Sequence, residues 1–161
     1  MPGAARTLTA VADTGLHRRR DQAAGTGEGM TQTIGAVAIL VPTYDEGLRF
    51  FVGVLGFTLV EDTPLGPAKR WVTVEPPGGG GTRLLLAEAA TDRQRQAIGD
   101  QAGGRVFLFL HTDDFRRDHG RYLEAGVVFL EEPRVESYGT VAVFRDPFGN
   151  RWDLIEPAGP H

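Results

Sequence analysis

The strongest constraint on this chain is an internal repeat. Past Met30, landmarks recur at one spacing: Gly56 and Gly126 are 70 residues apart, Pro64 and Pro133 are 69, and Pro77 and Pro147 are 70. A helix-stop glycine, a turn proline and a hairpin proline held in one register read as two copies of one unit rather than as chance. A unit of this length holds about five elements and cannot bury its apolar face alone, so the fold must bring two such units together.

The first copy opens with Ala36-Val37-Ala38-Ile39-Leu40-Val41, a short apolar, partly β-branched run that predicts a strand ended by Pro42 and Thr43. Asp45 to Val54 places Leu48, Phe51 and Val52 at helical spacing, and Gly56 stops the helix. Phe57 to Glu61 predicts a strand, Pro64 to Pro67 a turn, and Arg70–Glu75 and Thr82–Ala87 two further strands around Pro76–Gly81. The second copy repeats the order. Arg105–Thr112 is a strand, Asp114–Ala125 a helix anchored by Phe115, Tyr122 and Leu123, and Val127–Glu131 a strand before the turn at Pro133. Thr140–Arg145 and Arg151–Glu156 close it around Asp146-Pro147-Phe148-Gly149-Asn150. The reading is α+β: two βαβββ modules at 34–88 and 105–157, making one domain over 34–157, joined by a linker at 89–104 with a short helix from Thr91 to Ile98. Each module has four strands and one helix, so one sheet face is left for a cleft or a partner.

Composition narrows the function. The 161 residues carry a net charge of −4 and no broad basic field, which argues against nucleic acid as a partner. Without cysteine there are no disulfides, zinc–thiolate sites or thiol nucleophiles. No apolar run approaches the roughly 20 residues that span a membrane. Residues 1–33 read as a disordered tail, and 158–161 as a second short one. In the first, Arg18-Arg19-Arg20 follows the weakly apolar stretch instead of preceding it, the wrong order for a secretory signal. The expected location is the cytoplasm.

The duplication resembles the vicinal-oxygen-chelate superfamily, the glyoxalase, bleomycin-resistance and extradiol-dioxygenase group. So do Tyr44-Asp45-Glu46-Gly47-Leu48-Arg49-Phe50-Phe51 leading into Val54-Leu55-Gly56-Phe57, and the closing Asp146-Pro147-Phe148-Gly149-Asn150-Arg151-Trp152-Asp153-Leu154. The resemblance covers nearly everything after Thr33. It implies two modules curled around a shared cleft. It also implies a divalent metal held from the first and last strands of each module. Here those positions fall on Ala36, Leu85, Phe107 and Asp153, of which Asp153 alone has a donor. The expectation is therefore no metal and no cofactor.

Strand alternation supplies the rest of the expected lining. Phe107 brings Phe109 and His111, Asp153 brings Arg151 and Ile155, Leu85 brings Arg83 and Ala87, and Ala36 brings Ala38 and Leu40. Candidate ligand contacts are Arg83, Phe107, Phe109, His111, Tyr138, Arg151 and Asp153; His111 and Asp153 are the candidate catalytic groups. Asp153 is expected to pair with Arg83 or Arg151, His119 and the Glu131-Glu132 pair to be solvated, and Gly78–Gly81 to be a flexible hairpin rather than a phosphate loop. Trp71 and Tyr138 fit either a cleft mouth or local packing. Two functions compete: a metal-free binding protein for a small molecule, working as a homodimer, and a lyase, isomerase or dioxygenase acting on a small organic substrate.

Overall fold

The computed structural model describes residues 29–159, so most of the expected N-terminal tail, residues 1–28, lies outside the described residues. Two sheets are built from two copies of the same element order. The first contains β1 (Ala36–Val41), β2 (Thr58–Pro64), β3 (Arg70–Glu75) and β4 (Arg83–Glu88), arranged β1-β4-β3-β2. The second runs β5-β9-β8-β6, with β5 (Val106–His111), β6 (Val128–Phe129), β8 (Gly139–Arg145) and β9 (Arg151–Pro157); β7 (Arg134–Glu136) also pairs with β8. In each module the first and last strands pair in parallel and the others antiparallel.

The helices are α1 (Tyr44–Leu48), α2 (Asp92–Ala97) in the linker and α3 (Phe115–Glu124). Thr43 caps α1 by accepting from the Glu46 amide, Asp114 caps α3 from the Arg117 amide, and Thr91 with Gln94 forms a capping box on α2. The helix expected over 45–54 is α-helical only to Leu48. Arg49–Val54 is a π-helix, in which the Leu55 amide reaches back five residues to the Phe50 carbonyl. Apolar spacing alone does not separate these windings.

One core joins the modules. Ile39, Val41, Val72, Val74, Leu84 and Leu86 line the helix-covered face of the first sheet, and Leu110, Ala142, Phe144, Trp152 and Leu154 that of the second. The rings bridge them: Phe51 lies 5.9 Å from Trp152, and Phe50 lies 6.2 Å from Phe148. Fully burying such a side chain is worth about 1.5–3 kcal/mol. Ring by ring, this seam fixes one module against the other.

The linker is part of the same packing. Gly99 has φ +75°, and a Cβ there would meet the Phe148 carbonyl oxygen at 1.9 Å. Two residues on, the Gln101 amide accepts from the Leu40 N–H at 2.8 Å and donates to the Ala38 carbonyl at 3.2 Å. It thereby serves backbone groups on the free edge of β1.

The modules differ at their second strand. β2 is continuous with a bulge between Leu59 and Glu61, whereas the strand expected over 127–131 shrinks to β6, and pairing resumes in β7 beyond Pro133. Glu131 occupies the break. Its carboxylate accepts from the Val143 amide and from Arg134 Nε, both at 3.0 Å, doing in β8 what a strand carbonyl would do. The expectation of a solvated Glu131 is therefore corrected. So is that of a solvated His119, whose ring stacks on Phe115 at 5.2 Å and lies 4.4 Å from Phe129.

Candidate functional site

The helix-free faces carry the side chains that the cores leave out. On the first sheet, Ala38 stands opposite Leu85, Leu40 opposite Ala87, and Thr73 opposite Leu85 on its other flank. Trp71, 39% exposed, shares this face. A cavity of about 510 Å³ lies here, walled by Leu40, Trp71, Leu85 and Ala87, with Arg70 and Gln94 as polar members. Arg70 is held by Asp62 at 2.6 Å and Asp45 at 3.1 Å. At the centre of the face the Thr73 hydroxyl is buried without a hydrogen-bond partner.

On the second sheet, Phe109 stands opposite Asp153 and His111 opposite Ile155. Phe109 is 61% exposed and Asp153 only 8%. A β-bulge between Val106 and Leu108 leaves Phe107 as the extra residue, and it packs against the core. The alternation that would have aligned Phe107 with Phe109 stops at that bulge.

Asp153 has no ion pair among the described residues, which corrects the expected pairing with Arg83 or Arg151. Arg83 turns instead to Glu75 at 3.4 Å across the hairpin, and Arg151 stands opposite Arg145. The Asp153 Oδ1 atom is buried with no hydrogen-bond partner. Burial pushes its carboxyl above the usual range; nearby Arg134 opposes this and Glu131 adds to it. Arg134 sits opposite Val141 on the same face, and its guanidinium donates to Glu131 at 3.0 Å, Glu136 at 2.9 Å and the Tyr138 hydroxyl at 3.1 Å. Of this network, sequence reasoning named only Tyr138 as a site residue. The signal for Arg134 was its place two residues before Glu136, on the same face of one strand.

His111 ends β5 and borders a separate cavity of about 540 Å³ with Pro77, Asp113 and Arg117. In the ladder it stands opposite Ile155, one same-face pair along from Phe109 and Asp153. The positions at which the resemblance implies a metal give a poor fit: Ala36, Leu85 and Phe107 supply no lone pair, and the residues flanking Leu85 and Asp153 are Ala38 and Thr73, and Phe109 and Val143, with one hydroxyl among the four side chains. Among the described residues no three His, Asp or Glu side chains converge. Nor, among those residues, is any helix long and apolar enough to cross a membrane.

Residues 33–154 match the family model described as the Glyoxalase/Bleomycin resistance protein/Dioxygenase superfamily. An uncharacterized protein of Shewanella frigidimarina (strain NCIMB 400) is 52% identical over 128 residues, covering 79% of this chain and 95% of that one. Among solved structures, UcmS2 is 30% identical with a TM-score of 0.69, covering 79% of this chain and 99% of its own. TnmS3, described as an antibiotic binding protein from Streptomyces sp. CB03234, is 29% identical with a TM-score of 0.64, covering 80% of this chain and 98% of its own.

Proposed function

The chain belongs to the glyoxalase/bleomycin resistance protein/dioxygenase superfamily, and from that membership we propose that it binds a small, partly apolar organic molecule on its helix-free sheet faces without a resident metal. The observation that carries this reading is the donor set at the positions a metal would use. One carboxylate, Asp153, faces Phe109, and Leu85 faces Ala38. A divalent ion needs about three protein ligands in such a site. An apolar surface with a few fixed polar atoms suits an organic guest better. Two of those atoms are in place, the unpartnered Thr73 hydroxyl and Asp153 Oδ1, one on each sheet. Each lacks the partner that buried polar groups normally find, and a ligand hydroxyl or amine is a suitable one. TnmS3, similar in sequence and fold, is described as an antibiotic binding protein; a small organic molecule is the class we assign here.

We further assign a homodimer in the cytoplasm. Trp71, Phe109 and Tyr138 are exposed on a single chain, and a second copy set against these faces turns each into one wall of an enclosed cleft. The test uses protein purified without a histidine tag. Metal analysis, followed by titration with nickel, zinc, manganese and iron(II), should show no tight stoichiometric binding. Near-stoichiometric metal that Asp153→Ala abolishes would overturn the reading. Light scattering at tens of micromolar should give a dimer, and a monomer would remove the second-copy part of the assignment.

A further inference from the structure

The described arginines divide into two groups. Arg70, Arg83, Arg95, Arg117, Arg121 and Arg134 each face a carboxylate. Among the described residues no carboxylate lies within 4.0 Å of Arg49, Arg93, Arg105, Arg116, Arg145 or Arg151. Three of these unpaired residues gather at one end of the second sheet. Arg145 and Arg151 stand directly opposite each other on β8 and β9; Val106, the β5 partner of Arg151, follows Arg105. Like charges set opposite on neighbouring strands destabilise a sheet. In a chain whose net charge is −4, a local excess of this kind is a place where an outside anion lowers the energy.

Beside this end lies a cavity of about 750 Å³, away from Phe109, His111 and Asp153. Arg49 and Arg145 both border it, one from each module. Its apolar wall is Phe50 and Val54 from the π segment, with Val127 and Phe148 from the second module. The π winding aims Arg49, Phe50 and Val54 into the same space; such segments are rare and often lie at functional sites. Two carboxylates also border the cavity, and neither answers the arginines. Glu46 takes the Thr43 hydroxyl at 2.9 Å. Asp146 fills both oxygens with five donors from its own hairpin.

We propose that this cavity is a second binding site, for an amphipathic organic anion. Its carboxylate or sulfonate lies between Arg49 and Arg145, with Arg151 alongside, and its flat or aliphatic body rests on Phe50, Val54, Val127 and Phe148. Guanidinium groups present paired donors that match such an anion. The apolar wall excludes small inorganic ions as good ligands, since they would leave it uncovered. Because its walls are not those of the sheet-face site, this site stands or falls independently of the function proposed above.

The probe is 8-anilinonaphthalene-1-sulfonate, titrated by fluorescence into the full chain. Its neutral relative N-phenyl-1-naphthylamine, with the same body and no sulfonate, is the control. Arg49→Gln and Arg145→Gln should each weaken the sulfonate by roughly three- to tenfold, and the double variant by more than about tenfold, while the neutral dye shifts less than about twofold. Raising salt from about 0.05 M to about 0.5 M should weaken only the sulfonate. Arg→Lys at either position should recover part of the affinity, because the charge remains but the paired donors do not. Phe109→Ala and Asp153→Asn should leave the salt- and arginine-dependent part of that affinity unchanged. Three results would each overturn the proposal: sulfonate affinity that follows Phe109 and Asp153 but not the arginines; equal loss of both dyes in the arginine variants; or arginine variants that dissociate the dimer with no change in dye affinity.

Discussion

Replacing Asp146 tests whether the closing hairpin is held by one carboxylate. Asp146 is 2% exposed. Its Oδ1 accepts from the amides of Phe148 at 3.0 Å, Gly149 at 2.9 Å and Asn150 at 2.9 Å; its Oδ2 accepts from Asn150 Nδ2 and Trp152 Nε1, both at 3.0 Å. In Asp146→Ala all five donors lose this acceptor. The Phe148 and Gly149 amides are part-exposed and rehydrate, whereas the three donors on Asn150 and Trp152 belong to residues no more than 3% exposed. At about 1–3 kcal/mol for each orphaned buried donor, less what an entering water recovers, the loss is about 3–5 kcal/mol. For a domain of this size that is a fall in Tm on the order of 10 °C or more. Asp146→Asn should cost less, about 1–3 kcal/mol. It keeps the oxygen for the backbone amides and turns its new NH2 toward Asn150. Asn150 Oδ1 is buried without a partner, so a flip of that side chain supplies an acceptor, leaving mainly Trp152 Nε1 in conflict. Urea unfolding followed by tryptophan fluorescence and by circular dichroism measures both variants. A cost below about 1 kcal/mol for the alanine variant, or an asparagine variant worse than alanine, would refute the reasoning.

Gly99→Ala should destabilise by at least about 2 kcal/mol, because it adds left-handed backbone strain to a Cβ that collides with the Phe148 carbonyl; thermal unfolding checks this, and Gly103→Ala, with open space around its Cβ, should cost less. Asp153→Asn should stabilise the ligand-free protein by about 1 kcal/mol at neutral pH. The folded carboxyl titrates above its ordinary value of 3.8, so the folded state favours the protonated form. That advantage is whole below the unfolded value and disappears as pH rises through the folded one, where a buried charge must be carried. The gain from Asn should therefore shrink toward zero as pH falls to about 4, and a gain that is constant with pH would count against a buried, uncompensated Asp153.

Much of the fold was legible because the repeat carries its own check: Gly56 with Gly126 and Pro77 with Pro147 fix where each module turns. The strands and the closing hairpin followed from alternation and turn chemistry. The misses share a cause, which is a side chain or a local distortion replacing regular backbone. Nothing in the apolar spacing of Leu48, Phe51 and Val52 tells an α from a π winding. The bulge after Val106 shifts Phe107 from the expected cleft lining to the core edge. Glu131 reads as a charged strand end, yet it substitutes for a ladder carbonyl toward Val143. For the candidate site, alternation put Phe109 and Asp153 both on cleft-facing positions, but it could not show that Arg83 would turn to Glu75 or that Arg134 would reach Tyr138. Those choices depend on side-chain reach across a twisted sheet.

The amide of Gln101 has a consequence for assembly. β1 is the outermost strand of its sheet, and an outermost strand is a template on which any other extended chain can grow. By occupying the Leu40 N–H and the Ala38 carbonyl, one side chain blunts that template without adding a strand. The stretch from Asp92 to Gln101 is thus a latch of fixed length. Gly99 pins it to the Phe148–Gly149 turn, and two residues later the latch closes. Lengthening or shortening it by one residue would leave the core intact, yet would free the edge for pairing between molecules. The loss would then register first as concentration-dependent fibril or aggregate growth, before any drop in melting temperature.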